Sequence, residues 1–268
     1  MNDGGIKIRV LGSGTSSGVP TVGCRCATCL SEDPRDKRLR PSIQIMIGER
    51  SLLVDTSSDF REQCLKYNIR NVDAVLYTHH HFDHIAGFDD LRAFNFITRK
   101  AVPIYLTGET FEHLKRIFAY AFEQTGKREN STPVVDVNII DKAIFEVKGI
   151  TCIPVPLKHG SLNILGYRFG NFAYCTDCNR IGDEGWERLK GVEYLILDGL
   201  RYRNHPTHLT IEEAIEIADK LETKRTWLTH IAHDVKHEEC EKSLPENVRL
   251  AYDGLCIEID KQGEMKST

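Results

Sequence analysis

Short apolar runs bounded by glycine and polar clusters recur along this chain, a pattern of buried or half-buried strands more than of long helices. Strands are predicted over residues 6–11, 42–47, 51–55, 74–78, 150–157, 164–169, 172–176, 194–198, 226–229 and 255–260. The second and third are separated by a short glycine-bearing segment that reads as a hairpin. Residues 12–18 read Gly-Ser-Gly-Thr-Ser-Ser-Gly, where glycine opens backbone turns closed to other residues. Helical spacing is found over 88–97 and 109–122. Asp59 followed by Glu62 predicts a capped helix over 59–67. Thr210 followed by Glu213 predicts another, with Ile211, Ala214, Ile215, Ala218 and Leu221 as its apolar stripe. Strands partly alternating with helices, without an internal repeat or a linker, predict one α/β domain over residues 1–268.

Composition narrows this picture. With 41% hydrophobic and 28% charged residues, the 268-residue chain has the make-up of a globular protein able to bury a full core. Its net charge of -4, from 35 basic and 39 acidic side chains, speaks against a nucleic-acid footprint. Small anionic substrates stay open, because bound metal would reverse the local field. The start Met1-Asn-Asp-Gly-Gly5 is polar and no apolar run is long enough to span a bilayer, so the expectation is a cytoplasmic protein without membrane contact. Nine cysteines in such a chain read as reduced thiols or metal ligands rather than a disulfide framework. For the scattered Cys64, Cys152, Cys175, Cys178, Cys240 and Cys256, core filling is the expected role.

The chemistry concentrates at strand ends. His79, His81, Asp83 and His84 follow one predicted strand, His159 follows a second, Asp177 a third and His230 a fourth. Residues leaving neighbouring strands converge on one sheet edge, where α/β proteins place their sites. Imidazole and carboxylate donors suit zinc, manganese or iron. Seven donors with one carboxylate shared are enough for two cations with room for an attacking water, an arrangement that stabilises both entering and leaving oxygens. His80, Asp89, Asp90 and His113 fall outside this ligand set.

His-x-His-x-Asp-His followed by a distant His, Asp and His resembles the signature of the metallo-β-lactamase superfamily, and the resemblance covers nearly the whole chain. It implies an αββα sandwich of two mixed β-sheets flanked by helices, with the active site at one sheet edge. By position it implies His79, His81 and His159 on a first metal, Asp83, His84 and His230 on a second, and Asp177 bridging; Asp83 is thereby also a catalytic group. Asp55 resembles the family's early Asp, which orients a ligand histidine.

Cys24-Arg-Cys26-Ala-Thr-Cys29 places three thiols at chelating spacing, and a tetrahedral structural zinc needs a fourth ligand. His233, three residues beyond His230, is the expected one; Cys178 competes for the position. This Cys triad after a Gly-rich loop, with Leu-Thr-His-Ile-Ala-His at 228–233, is similar to the PhnP group of phosphodiesterases. The quinone-cofactor biosynthesis group called PqqB is a neighbour with a similar loop.

The resemblance implies a homodimer that hydrolyses a small phosphodiester, possibly a cyclic one, with zinc or manganese in the catalytic centre. A leaving alkoxide needs a proton, and an imidazole beside the metals suits that task. His205 and His208 both qualify; His208 is favoured because it resembles the helix-preceding His of the related tRNA-processing phosphodiesterases, while the PhnP pattern can equally be aligned onto His205. Arg201 and Arg203 lie beside this loop, and Asp198 ends a strand at the same edge without an assigned role. Rival readings are a tRNA 3′-processing endonuclease, a thioester or lactone hydrolase, and a non-catalytic metal-binding protein of cofactor assembly.

Overall fold

The computed structural model describes residues 5–123 and 132–266; the polar start at residues 1–4 lies outside them. In chain order the strands are β1 (Ile6–Gly12), β2 (Ser42–Ile47), β3 (Arg50–Val54), β4 (Ala74–Leu76), β5 (Val102–Leu106), β6 (Val135–Ile139), β7 (Phe145–Val147), β8 (Ile150–His159), β9 (Leu162–Phe169), β10 (Phe172–Cys175), β11 (Arg180–Ile181), β12 (Tyr194–Asp198), β13 (Arg225–Thr229), β14 (Val248–Leu250) and β15 (Cys256–Ile259). The helices are α1 (Phe60–Lys66), α2 (Phe82–Ile85), α3 (Arg92–Thr98), α4 (Gly108–Ile117), α5 (Ala119–Phe122), α6 (Asp183–Leu189), α7 (Ile211–Lys220) and α8 (His237–Glu241). No described helix is long and apolar enough to cross a membrane.

The chain groups into two compact units. The first comprises the described parts of Met1–Arg9, Ser42–Asp141 and Cys256–Thr268; the second is Val10–Pro41 with Lys142–Leu255. The first unit's sheet runs in the order β15-β1-β2-β3-β4-β5-β6. The pairs β1/β15 and β2/β3 are antiparallel, whereas β3, β4, β5 and β6 are parallel. The expected hairpin is present, with Ile47 opposite Arg50 and Gly48 at φ 60°. Because β3 and β4 are parallel, Asp55 and the tract beginning at Thr78 leave the sheet at the same edge.

The second unit's sheet runs β11-β8-β9-β10-β12-β13-β14, with β7 added to β8. Here β8, β9 and β10 are antiparallel neighbours and β10, β12, β13 and β14 are parallel. The parallel set carries Asp177, Asp198 and His230 to one edge. Val155, Leu157, Ala173, Leu195, Leu197 and Leu228 of the strands pack with Ile211, Ala214 and Ala218 of α7 in the core of this unit. The Thr210–Glu213 capping box is formed as expected, with the Thr210 hydroxyl accepting from Glu213 N–H and the Glu213 carboxylate accepting from Thr210 N–H. Both sheets are mixed and flanked by helices, the metallo-β-lactamase fold.

Several local expectations need correction. The Asp59 side chain makes no cap on α1; the Ser57 hydroxyl instead accepts from Asp59 N–H and donates to Gln63. The helix expected over 88–97 begins as a 3-10 turn at Ala86–Leu91 before α3, and the one expected over 109–122 breaks at Phe118, whose ψ of 43° is not helical. In the Gly-rich loop only Gly18 has a positive φ, 64°. Gly12 is needed for closeness instead, since a Cβ there would run into the carbonyl oxygen of Arg40.

Candidate metal centres

Within the first unit, the strand-end tract turns from β4 into the short α2, and this turn brings His79, His81, Asp83 and His84 together. The His79 ring lies 4.6 Å from that of His81 and 4.2 Å from that of His84, centroid to centroid, and His84 Nε2 is 3.3 Å from Asp83 Oδ2. Asp55, fully buried after β3, organises this group. It accepts the Thr78 N–H on Oδ1 at 2.8 Å. On Oδ2 it accepts the Thr78 hydroxyl at 2.8 Å and His84 Nδ1 at 2.7 Å. Since the Thr78 proton is committed to Asp55, its oxygen accepts from His79 Nδ1 at 3.0 Å. Both imidazoles are thus held with Nδ1 protonated and Nε2 left as the coordinating nitrogen. Burial pushes the Asp55 carboxyl up from the usual range, opposed by His84 and Thr78.

Within the second unit, one coordinating atom each from His159, Asp177 and His208 lies within 4.8 Å of the others, and His230 Nε2 is 3.2 Å from Asp177 Oδ2. His159 donates Nδ1–H to the Thr207 carbonyl at 3.0 Å, which again presents Nε2. Burial pushes the His159 imidazole down, toward the neutral form that coordinates. Asp198, which has no role assigned from residue pattern, is the hub of this group. Its Oδ1 accepts from Asp177 N–H at 3.2 Å and from His208 Nδ1 at 3.1 Å, while Oδ2 accepts from Leu209 N–H at 2.8 Å. His208 stacks on His230 with centroids 4.7 Å apart. His205 instead turns its Nδ1 to Thr207, 3.2 Å from the hydroxyl. Arg201 donates to the carbonyls of Arg203 and Asn204 and shapes this loop, and Arg203 pairs with Asp234 at the surface.

Asp55, Asp177 and His230 all adopt left-handed backbone, with φ of 64°, 59° and 62°. Such conformations are costly for non-glycine residues and gather at functional sites. The donor chemistry of both units fits hard or borderline divalent ions, with imidazole nitrogens fixed and carboxylates buried beside them.

The second unit also brings Cys24, Cys26, Cys29 and His233 together. His233 Nδ1 lies 3.3 Å from Cys24 Sγ, 3.4 Å from Cys26 Sγ and 3.8 Å from Cys29 Sγ. Zinc bonds of about 2.3 Å to sulfur and about 2.0 Å to nitrogen give tetrahedral edges of about 3.5 Å, so these four atoms fit one zinc ion. The N–H groups of Cys26, Cys29 and Thr21 point at the three sulfurs. The Cys29 N–H, joined by His233, draws the Cys26 thiol down to about 6, whereas burial pushes Cys29 up to about 11. Cys178, the rival fourth ligand, is buried in the core of the unit instead. Cys152, Cys175 and Cys240 are buried too, as core filling requires.

The buried Arg38 fixes the loop that presents His233. It donates to the Ala232 carbonyl at 3.0 Å and the Val235 carbonyl at 2.8 Å, and pairs with buried Asp36 at 2.9 Å.

A family model described as a β-lactamase superfamily domain matches residues 50–231. A crystal structure of a new diphosphatase from the PhnP family superposes with a TM-score of 0.87 at 45% identity, covering 94% of this chain and 96% of that one. This chain therefore belongs to the metallo-β-lactamase superfamily, and within it to the PhnP family. An octanoyltransferase of Porphyromonas gingivalis is 39% identical over 259 residues, 95% of this chain, which spans only about half (52%) of that protein's length. Coenzyme PQQ synthesis protein B of Methylobacterium nodulans is 29% identical over 221 residues, 71% of each chain. Zinc-bound PqqB from Methylobacterium extorquens shares the fold, with a TM-score of 0.72 at 21% identity over 93% of this chain and 99% of that one. Family membership and the donor clusters together support a metal-binding hydrolase.

Proposed function

We propose that this protein is a dinuclear-metal phosphohydrolase acting on a small anionic phosphodiester, cyclic ones included, with His79, His81, Asp83, His84, His159, Asp177 and His230 as its metal ligands. The observation that carries the reading is the fixing of ring nitrogens: Nδ1 of His79, His84 and His159 is engaged by a hydroxyl, a carboxylate and a carbonyl, so each ring offers Nε2. The 45% identity to a PhnP-family diphosphatase supports attack at phosphorus as the reaction class. Divalent ions, when bound, supply Lewis acidity that activates water and neutralises phosphoryl oxygens.

The protein's own residues position and protonate. Asp55 keeps two imidazoles in the coordinating tautomer. Asp198 holds His208 by Nδ1, leaving Nε2 to give its proton to the departing oxygen. Among the described residues His205 has no carboxylate partner of this kind, which favours His208 as the acid. A cytoplasmic homodimer with zinc or manganese at the catalytic ligands, and zinc on Cys24, Cys26, Cys29 and His233, completes the proposal.

The diphosphatase relative favours a second substrate class, a phosphoanhydride. A departing phosphate needs less protonation than an alkoxide, so the two classes differ in their dependence on His208. The test is a panel of a bis-aryl phosphate, a cyclic nucleotide, a ribosyl cyclic phosphate, a dinucleoside diphosphate, a precursor tRNA and a thioester, assayed with metal-quantified protein. Cleavage of small phosphorus esters or anhydrides is expected. Turnover of the thioester or the precursor tRNA alone would overturn the proposal.

A further inference from the structure

His80 lies between two signature histidines, yet its ring turns away from their task. It stacks face to face on His113 of α4, with centroids 3.7 Å apart and planes 6° from parallel. Glu109 sits one helical turn before His113, so both project from the same face of α4. One coordinating atom each from His80, Glu109 and His113 lies within 4.8 Å of the others. Packing of two rings would account for the stack but not for the carboxylate at its edge. Two imidazoles and a carboxylate are a donor set for a borderline divalent ion, and both rings are half-buried while Glu109 is exposed, leaving positions for water.

We propose that His80, Glu109 and His113 form a further metal site, which takes one exchangeable zinc, cobalt(II) or nickel ion. In a parallel stack the ring-nitrogen lone pairs lie in two separate planes, so coordination of one ion by both rings turns one ring out of the stack and gives binding its own spectroscopic signature. Occupancy also ties the tract carrying His79 and His81 to α4, since His80 is covalently part of that tract.

The experiment uses full-length protein with its tightly held metals in place, dialysed against a weak chelator and titrated with cobalt(II) alone. Calorimetry and visible absorption follow the uptake. The wild type takes up one further equivalent; His113→Ala abolishes that uptake and Glu109→Gln weakens it, with tight-metal content and melting temperature unchanged. Absence of a further equivalent in the wild type, or equally tight uptake by His113→Ala, overturns the proposal. Should His113→Ala not fold, imidazole 15N spectra of the wild type titrated with zinc decide: the His80 and His113 nitrogens shift together, and unmoved signals overturn the site.

Discussion

Asp198 holds the His208 ring through a 3.1 Å contact between Oδ1 and Nδ1, and the same oxygen receives the backbone N–H of Asp177. One carboxylate thus fixes both the proposed acid and the turn that carries a proposed ligand. His208→Ala is predicted to retain its metals and to lower kcat by about 10²–10⁴ on substrates with alkoxide leaving groups, and by less on nitrophenyl esters. Asp198→Asn should show the same leaving-group dependence with a smaller loss. Rates across a series of leaving groups check this; a uniform loss would return the acid role to His205.

Asp55 holds His84 directly and His79 by way of Thr78. Asp55→Asn is predicted to weaken catalytic-metal affinity about 10–100-fold. Competition with a chromogenic chelator measures this, and unchanged affinity would remove Asp55 from the ligand-orienting role.

Much of the candidate site is legible in the sequence. His79, His81, Asp83 and His84 could be read because the donors stand in a single tract after a recognisable strand, and Asp177 and His230 because each closes an apolar run. Asp198 could be placed but not interpreted, since its partners are set by the pairing of β10 with β12 and by the return of the chain at Leu209. The left-handed backbone at Asp55, Asp177 and His230 is only faintly marked by residue type, since Asp and His adopt it more readily than most side chains yet do so at few positions. β5 was missed for a physical reason: Pro103 sits inside it, and proline argues against a paired interior strand. β6, where Asp136 and Asn138 alternate with apolar residues, has too little apolar character to stand out.

The Cys cluster and Arg38 form one structural assembly. Cys26→Ser is predicted to lose the structural zinc and lower the melting temperature while the catalytic metals stay. Arg38→Met, which strands Asp36 in the interior, should destabilise by about 3–5 kcal/mol. Zinc quantification and urea unfolding check both; normal melting with unchanged zinc in Cys26→Ser would mean that these thiols are not ligands.

Acid should weaken the fold through His237. Burial, then Arg35 and Arg38, lowers its imidazole to about 4. An unfolded histidine titrates near 6.5, so between about pH 6.5 and 4 the unfolded chain binds the extra proton. Stability from this group is therefore complete above about pH 6.5 and is lost as pH falls toward 4. Urea midpoints at pH 7.5 and pH 5 should differ less in His237→Gln than in the wild type. Equal differences would assign the acid sensitivity to other groups.

The central claim is best tested by comparing wild type with Asp177→Ala for divalent-metal content and bis-aryl phosphate hydrolysis on the same samples. Two catalytic metal equivalents beside one cysteine-bound zinc are expected in the wild type, with loss of catalytic metal and of turnover together in the variant. Full turnover by a metal-quantified Asp177→Ala protein would contradict it.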